Sequence, residues 1–141
     1  MRVPMKVDYG VRALVDLTQQ GAERPVRTAE IALRQHIPEP YLDQVLTTLN
    51  KFGFIRSRRG PRGGHLMARA AADITLSEIV ATLEGRTSSL DCITDADECV
   101  LSGSCTQRDI WRGVEDAVQQ VLEATTVQEL AFPRKPVAVL T

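Results

Sequence analysis

The chain has 141 residues, 43% of them hydrophobic and 25% charged, enough for one domain with its own core or a small domain plus an extension. No apolar run is long enough to cross a bilayer, and the opening MRVPMKVDYGVRAL lacks the apolar core of a signal peptide, so a reducing cytoplasm is the expected location. The net charge of −1 hides two unlike halves: residues 1–69 carry twelve Lys/Arg against six Asp/Glu, and residues 70–141 carry five against twelve. Such an asymmetry points to one half meeting an anionic polymer.

Residues 5–19 read as a helix, with Val7, Val11, Ala13, Leu14 and Leu17 at helical spacing and a stop near Gly21. A turn through Pro25 leads to Thr28, the expected N-cap of a second helix, TAEIALRQHI. Pro38 and Pro40 break that pattern, and Pro40 suits the first turn of a third helix, where its missing N–H needs no partner. The third helix, PYLDQVLTTLNKF, is expected to bury Leu42, Val45, Leu46, Leu49 and Phe52 and to end at Gly53. Asp43, Gln44, Thr47, Thr48 and Lys51 fall on its other, hydrogen-bonding face. FIRSRR, the turn GPRGG and HLMAR then predict a β-hairpin with an arginine-rich tip.

Beyond the hairpin, Thr75 and Glu78 form a capping box opening TLSEIVATLEG, which ends at Gly85. Residues 86–105 form a loop. A long amphipathic helix is expected from about Thr106 to Ala124, with Ile110, Trp111, Val114, Val118, Val121 and Leu122 as its apolar stripe. Thr126 and Glu129 cap a short final turn, and the tail PRKPVAVLT is expected to fray. A stripe this long is hard to bury against a small domain, so pairing with a second copy, a homodimer, is expected.

Three helices followed by a basic hairpin is the order of a winged helix-turn-helix. In that architecture the third helix enters the major groove of double-stranded DNA and the hairpin reaches phosphates or the minor groove. Base reading falls to Tyr41, Asp43, Gln44 and Thr47, since Gln can pair bidentately with adenine and Asp can accept from a cytosine amine. Lys51 lies further along the same face. Arg58, Arg59 and Arg62 flank the exposed turn, where arginine gains from the negative potential of a minor groove and from counterion release.

All three cysteines, Cys92, Cys99 and Cys105, fall in the loop DCITDADECVLSGSC. An odd set of three in a reducing compartment is no disulfide framework. Thiolates are soft ligands suited to zinc, cuprous copper or iron–sulfur clusters, but Cys-x6-Cys-x5-Cys is wider than a zinc knuckle and leaves a four-ligand site one short. A metal-free thiol switch and inert thiols are the alternatives. Catalysis has no support: the histidines, His36 and His65, lie far from the cysteines in sequence, and neither a phosphate loop nor paired carboxylates are present.

The stretches VDYGVRALVDL, AEIALRQHIPEPYLDQVLTTLNKFGFIRSRRGPRGGHLMAR and ITLSEIVATLEG, with the three cysteines ahead of IWRGVEDAV, resemble the dimeric winged-helix regulators typified by IscR and NsrR. The resemblance spans about residues 5–131. It implies a transcription regulator, such as a repressor, whose operator affinity is controlled by a 2Fe–2S or 4Fe–4S cluster sensing nitric oxide, redox or iron–sulfur status. By position it makes Cys92, Cys99 and Cys105 cluster ligands, puts Tyr41, Asp43 and Gln44 on the recognition helix and puts Arg59 in the wing. IscR-like members supply a histidine after the third cysteine, and here TQR follows Cys105 instead. NsrR-like members use an N-terminal aspartate of the opposite subunit, which corresponds to Asp8. Two departures stand out: Pro38 replaces a serine cap, and Asp43 replaces a longer glutamate, which changes the expected operator.

The expected architecture is therefore mainly α with a small β-hairpin wing. Residues 1–85 form the winged helix-turn-helix, 86–105 the cysteine loop, 106–131 the dimerisation helix and final turn, and 132–141 a flexible tail. A cluster-free thiol-switch regulator or partner-binding subunit, and a structural zinc adaptor, are the rival readings.

Overall fold

The computed structural model describes residues 2–85 and 106–134. Its organising element is α1 (Met5–Gln20), opened by the extended Pro4, whose carbonyl accepts from the amides of Val7 and Asp8. One face of α1 is buried through Val7, Gly10, Ala13, Leu14, Asp16 and Leu17, and the chain turns away at Gly21. Around it pack α2 (Thr28–Gln35), α3 (Glu39–Lys51), α4 (Leu76–Leu83) and a last short helix described below. Leu14, Leu17, Ile31, Leu42, Leu46, Leu49, Ile74 and Ile79 form one continuous core from these elements. Gly10 permits a close approach of α1 and α4: a Cβ there would meet Leu83 Cδ1 at the end of α4.

The hairpin joins β1 (Ile55–Arg58) and β2 (Gly64–Met67) in antiparallel register, Ile55 opposite Met67 and Arg58 opposite Gly64. Val26, in the α1–α2 connection, adds a third rung: its amide donates to the His65 carbonyl at 2.9 Å and its carbonyl accepts from the His65 amide at 2.7 Å. Gly64 makes that contact possible, because its φ is +147° and any Cβ would come within 2.6 Å of the Val26 carbonyl oxygen. After a single 3₁₀ turn, Ala71–Asp73, and α4, the long helix α5 (Arg108–Ala124) and the short α6 (Val127–Ala131) complete the described chain. The expectation of a mainly helical, winged helix-turn-helix fold followed by a long helix is met.

Two side chains differ from expectation. Phe52 is not in the core: it is the C-cap of α3 and is 55% exposed, with the Lys51 ammonium 5.7 Å from its ring centroid. The left-handed Gly53, φ +82°, turns the chain so that Phe54 enters the core in its place. Thr28 is not the N-cap of α2, a position held by Arg27. It is the first helical residue, and its hydroxyl faces the His65 ring instead. The threonine caps at Thr75 and Thr126 form, each hydroxyl accepting from the amide three residues on, but the Glu78 carboxylate is bound by Arg69 rather than reaching back to close a capping box.

The C-terminal segment returns to the domain. Leu76 donates to the Thr125 carbonyl and Val127 to the Ile74 carbonyl, both at 2.9 Å, so Thr75 and Thr126 form an antiparallel bridge. Helix α6 then packs on α1 with Val127 and Ala131 buried, and Gln19 donates to the Ala131 carbonyl. By contrast α5 buries none of its residues and meets α4, where Gln119 and Ser77 are hydrogen-bonded.

Among the described residues, one charge sits inside the core. Asp16 is 1% exposed and receives a bidentate bond from Arg34, Nε to Oδ1 at 2.9 Å and Nη2 to Oδ2 at 2.8 Å, plus one from the Gln35 side-chain amide at 3.2 Å. Breaking a buried pair from one side strands the other charge. Arg34→Ala is therefore expected to cost about 3 kcal/mol, read in urea unfolding as a lower midpoint at unchanged slope.

Candidate nucleic-acid interface and sensor residues

The outward face of α3, the candidate recognition face, follows from the helix's core pattern. Leu42, Val45, Leu46 and Leu49 occupy one side, so Tyr41, Asp43, Gln44, Thr47 and Lys51 are all exposed on the opposite side. Tyr41 points outward and has no core role. No side chain caps this helix, since Pro38 stands at the N-cap. Its carbonyl accepts from the Tyr41 and Leu42 amides, and Pro40 occupies the first turn without losing a bond. Thr47 donates to the Asp43 carbonyl at 2.7 Å and Thr48 to the Gln44 carbonyl at 3.2 Å, which directs the Thr47 methyl and remaining lone pairs outward.

Beside this helix stands the wing. Arg58, Arg59 and Arg62 are all exposed around the Gly60–Gly63 turn, closed by a 2.9 Å bond from the Gly63 amide to the Gly60 carbonyl. His65 ties wing to helices. Its Nε2 lies 2.8 Å from Thr28 Oγ1 and its Nδ1 2.8 Å from Ser57 Oγ, so the ring is held from α2 and β1 at once. Burial lowers its pKa, and the nearby Asp43 carboxylate opposes that shift.

The expected sensor residues divide. Cys92, Cys99 and Cys105 lie outside the described residues, as does the whole loop 86–105. Among the described residues no group of three or more His, Cys, Asp or Glu side chains is placed to hold a metal ion. Asp8 is described: it sits in the first turn of α1, half-exposed, and its carboxylate takes both Nε and Nη2 of Arg12 at 3.1 and 2.8 Å. The same guanidinium donates through Nη1 to the Gln35 carbonyl at 2.9 Å, at the end of α2. A single side chain, Arg12, thus separates Asp8 from the turn of the helix-turn-helix. Along α5, Ile110, Trp111, Val114 and Val121 remain exposed, Ile110 at 68%.

Sequence reasoning misses three structural residues: Asp16, Arg12 and His65 as a wing anchor. An acid between Leu14 and Leu17 on the buried face of α1 is the available signal for Asp16. The other two depend on contacts 23 and 37 residues apart in sequence.

Comparison with known proteins places these features. The Rrf2 profile, described as iron-dependent transcriptional regulator, matches residues 3–133. The protein rrf2 of Nitratidesulfovibrio vulgaris is 32% identical over 130 residues, covering 92% of this chain and 87% of that one. Two solved structures are similar throughout. CymR, described as the global cysteine regulator of B. subtilis, has a TM-score of 0.78 at 29% identity over 93% of this chain and 96% of its own. IscR of T. potens has a TM-score of 0.75 at 30% identity over 100% of this chain and 93% of its own.

The His65 anchor has a pH signature. With the folded pKa below the ordinary 6.5, the unfolded chain takes up the proton first. The stabilisation from neutral His65 is therefore complete above 6.5 and declines as pH falls below it. Urea midpoints measured across about pH 5–8 should show that decline, and His65→Gln should flatten it.

Proposed function

The chain belongs to the Rrf2 family of transcriptional regulators, and on that premise we propose that it is a homodimeric regulator whose operator affinity is set by an iron–sulfur cluster responding to nitric oxide, redox or iron–sulfur status. The observation that carries the DNA-binding part is the outward row Tyr41, Asp43, Gln44, Thr47 and Lys51, entirely able to hydrogen-bond, next to the exposed Arg58, Arg59 and Arg62. In this reading the helix row reads base edges and the arginines meet phosphates or the minor groove. Two copies paired along Ile110, Trp111, Val114 and Val121 bring two recognition helices to half-sites roughly 34 Å apart on a pseudo-palindrome.

The donor chemistry fits a cluster. Three thiolates, from Cys92, Cys99 and Cys105, and one accessible carboxylate, from Asp8 of the opposite subunit, make four anionic ligands, three of them soft. The family description, which names iron, supports the same choice. When bound, the group supplies redox and nitric-oxide chemistry. The part of the protein itself is positional. A ligand role for Asp8 would draw on the carboxylate that Arg12 holds, and Arg12 also holds the Gln35 carbonyl just before the turn into α3. Sensor and recognition helix would then share one guanidinium.

The likeness to CymR supports a second reading, a cluster-free regulator switching through the thiols themselves. Purification without air separates the two. A cluster reading predicts iron and sulfide in the protein, a Mössbauer signal, and an operator affinity that shifts about 5- to 150-fold between cluster-bound and apo forms. A colourless protein whose affinity responds to peroxide through Cys92, Cys99 or Cys105 supports the thiol switch, and stoichiometric zinc without iron defeats the cluster. Asp8→Ala should change the spectrum while leaving the thiol count unaltered. For assembly, Val114→Asp is expected to give monomers in sedimentation and to abolish tight operator binding.

A further inference from the structure

The α1–α2 connection has no assigned role, yet the structure carries it to the wing. The paired bonds between Val26 and His65 fix this segment along β2, and the missing Cβ of Gly64 lets the two backbones touch. Arg24 and Arg27, on either side of Pro25 and Val26, are thereby set against the arginine-rich turn. Between them lies an open cleft of about 490 Å³, walled by Arg24, Arg27, Arg58 and Arg62 and floored by Pro61 and Gly63. A second hollow of about 270 Å³ shares Arg27, Arg58 and Gly63 and reaches Thr28 at the start of α2.

Four arginines lining one small cleft raise its positive potential and favour an anion there. The carboxylate paired with this group is Glu30, whose contact with Arg24 is loose at 3.5 Å and solvent-exposed, so it offsets little of the charge. Arg27 is oriented by its Nη2 bond to the Pro61 carbonyl, which hooks the turn to the connection. The planar fork of an arginine matches the oxygens of a phosphodiester, and the cleft these four residues line is open to solvent. A lone exposed arginine would make such a contact at the full entropic cost of ordering a long side chain, a cost that the Pro61 carbonyl contact reduces for Arg27.

We propose that Arg24 and Arg27, together with Arg58 and Arg62, form a clamp for a DNA backbone phosphate beside the groove read by α3. This rests on the DNA-binding reading and extends it to a segment outside both the recognition helix and the hairpin. The clamp is sequence-independent: it sets register and total affinity, and base choice stays with α3. It also explains why the hairpin turn is tied to the connection at two places, the Val26–His65 bridge and the Arg27–Pro61 contact. A phosphate held there touches both at once.

The test is salt-dependent binding of the full-length protein to a mixed-sequence duplex, measured as log affinity against log salt concentration. Arg24→Ala with Arg27→Ala should lower the slope by about 1, the value expected when one fewer phosphate is neutralised, and weaken binding equally on unrelated sequences. Arg24→Ala alone, which leaves the Arg27 hook intact, should weaken binding several-fold and guards against a collapsed wing. Glu30→Gln keeps an acceptor for the Arg27 amide but removes the opposing charge, so it should tighten binding. An unchanged slope in the double variant, or weaker binding by Glu30→Gln, overturns the clamp while leaving the regulator reading intact. A wild-type protein with no steep slope overturns that reading instead.

Discussion

A carboxylate that is 1% exposed must be neutralised where it stands, and the way Asp16 is neutralised determines how the DNA-binding elements are arranged. Its two oxygens are taken by Arg34 and Gln35, the last two residues of α2. The left-handed His36 follows at once and hands the chain to α3. Helix α1 therefore grips the turn of the helix-turn-helix rather than only packing against it. A second hold comes from Arg12, which bonds the Gln35 carbonyl. A buried ion pair adds little net stability compared with apolar side chains of the same size. What it adds here is a fixed angle, since a bidentate fork tolerates far less sliding than leucine against leucine.

Both ends of α1 thus acquire a meaning that its apolar stripe does not convey. Near its start, Asp8 and Arg12 are polar, half-exposed and linked to the α2 terminus. Further along, Asp16 is sealed. Under the proposed ligand role for Asp8, the exposed first pair would be the one open to exchange, while the sealed second pair keeps α1 fixed to the end of α2. The wing is held independently, by the Val26–His65 rung and by the His65 ring between Thr28 and Ser57. Recognition helix and wing are both fastened to α2, one at each end of it.

Much of this architecture is legible in the amino-acid sequence alone. The order of helices and hairpin follows from apolar spacing and from glycine and proline placement, because those signals are local. Two residues show where local reading stops. Phe52 continues the apolar period of α3, but the left-handed Gly53 ends the helix early enough for Phe54 to take the core position. Thr28 has the chemistry of an N-cap, but its hydroxyl is claimed by a ring 37 residues away. Of the candidate site, the outward row of α3 and the exposed wing arginines are readable, since they are what the core pattern leaves over. The Asp8–Arg12–Gln35 link is not, because Arg12 reads equally well as a solvated helix residue. The cysteines are readable only as chemistry, and they lie outside the described residues.

The bridge between Thr75 and Thr126 has one more consequence. The chain that enters α4 at Thr75 comes back beside that entry point at Thr126, and α6 is then locked onto α1 by Val127, Ala131 and the Gln19 bond. Helices α4 and α5 therefore lie within a loop of chain closed at that bridge, and α5 is not an appendage after the domain. An appendage can swing on its joint without disturbing what it hangs from. A segment whose two ends meet at one rung cannot: a displacement at the C-terminal end of α5 bears on Thr126 and, through the bridge, on Thr75 at the start of α4.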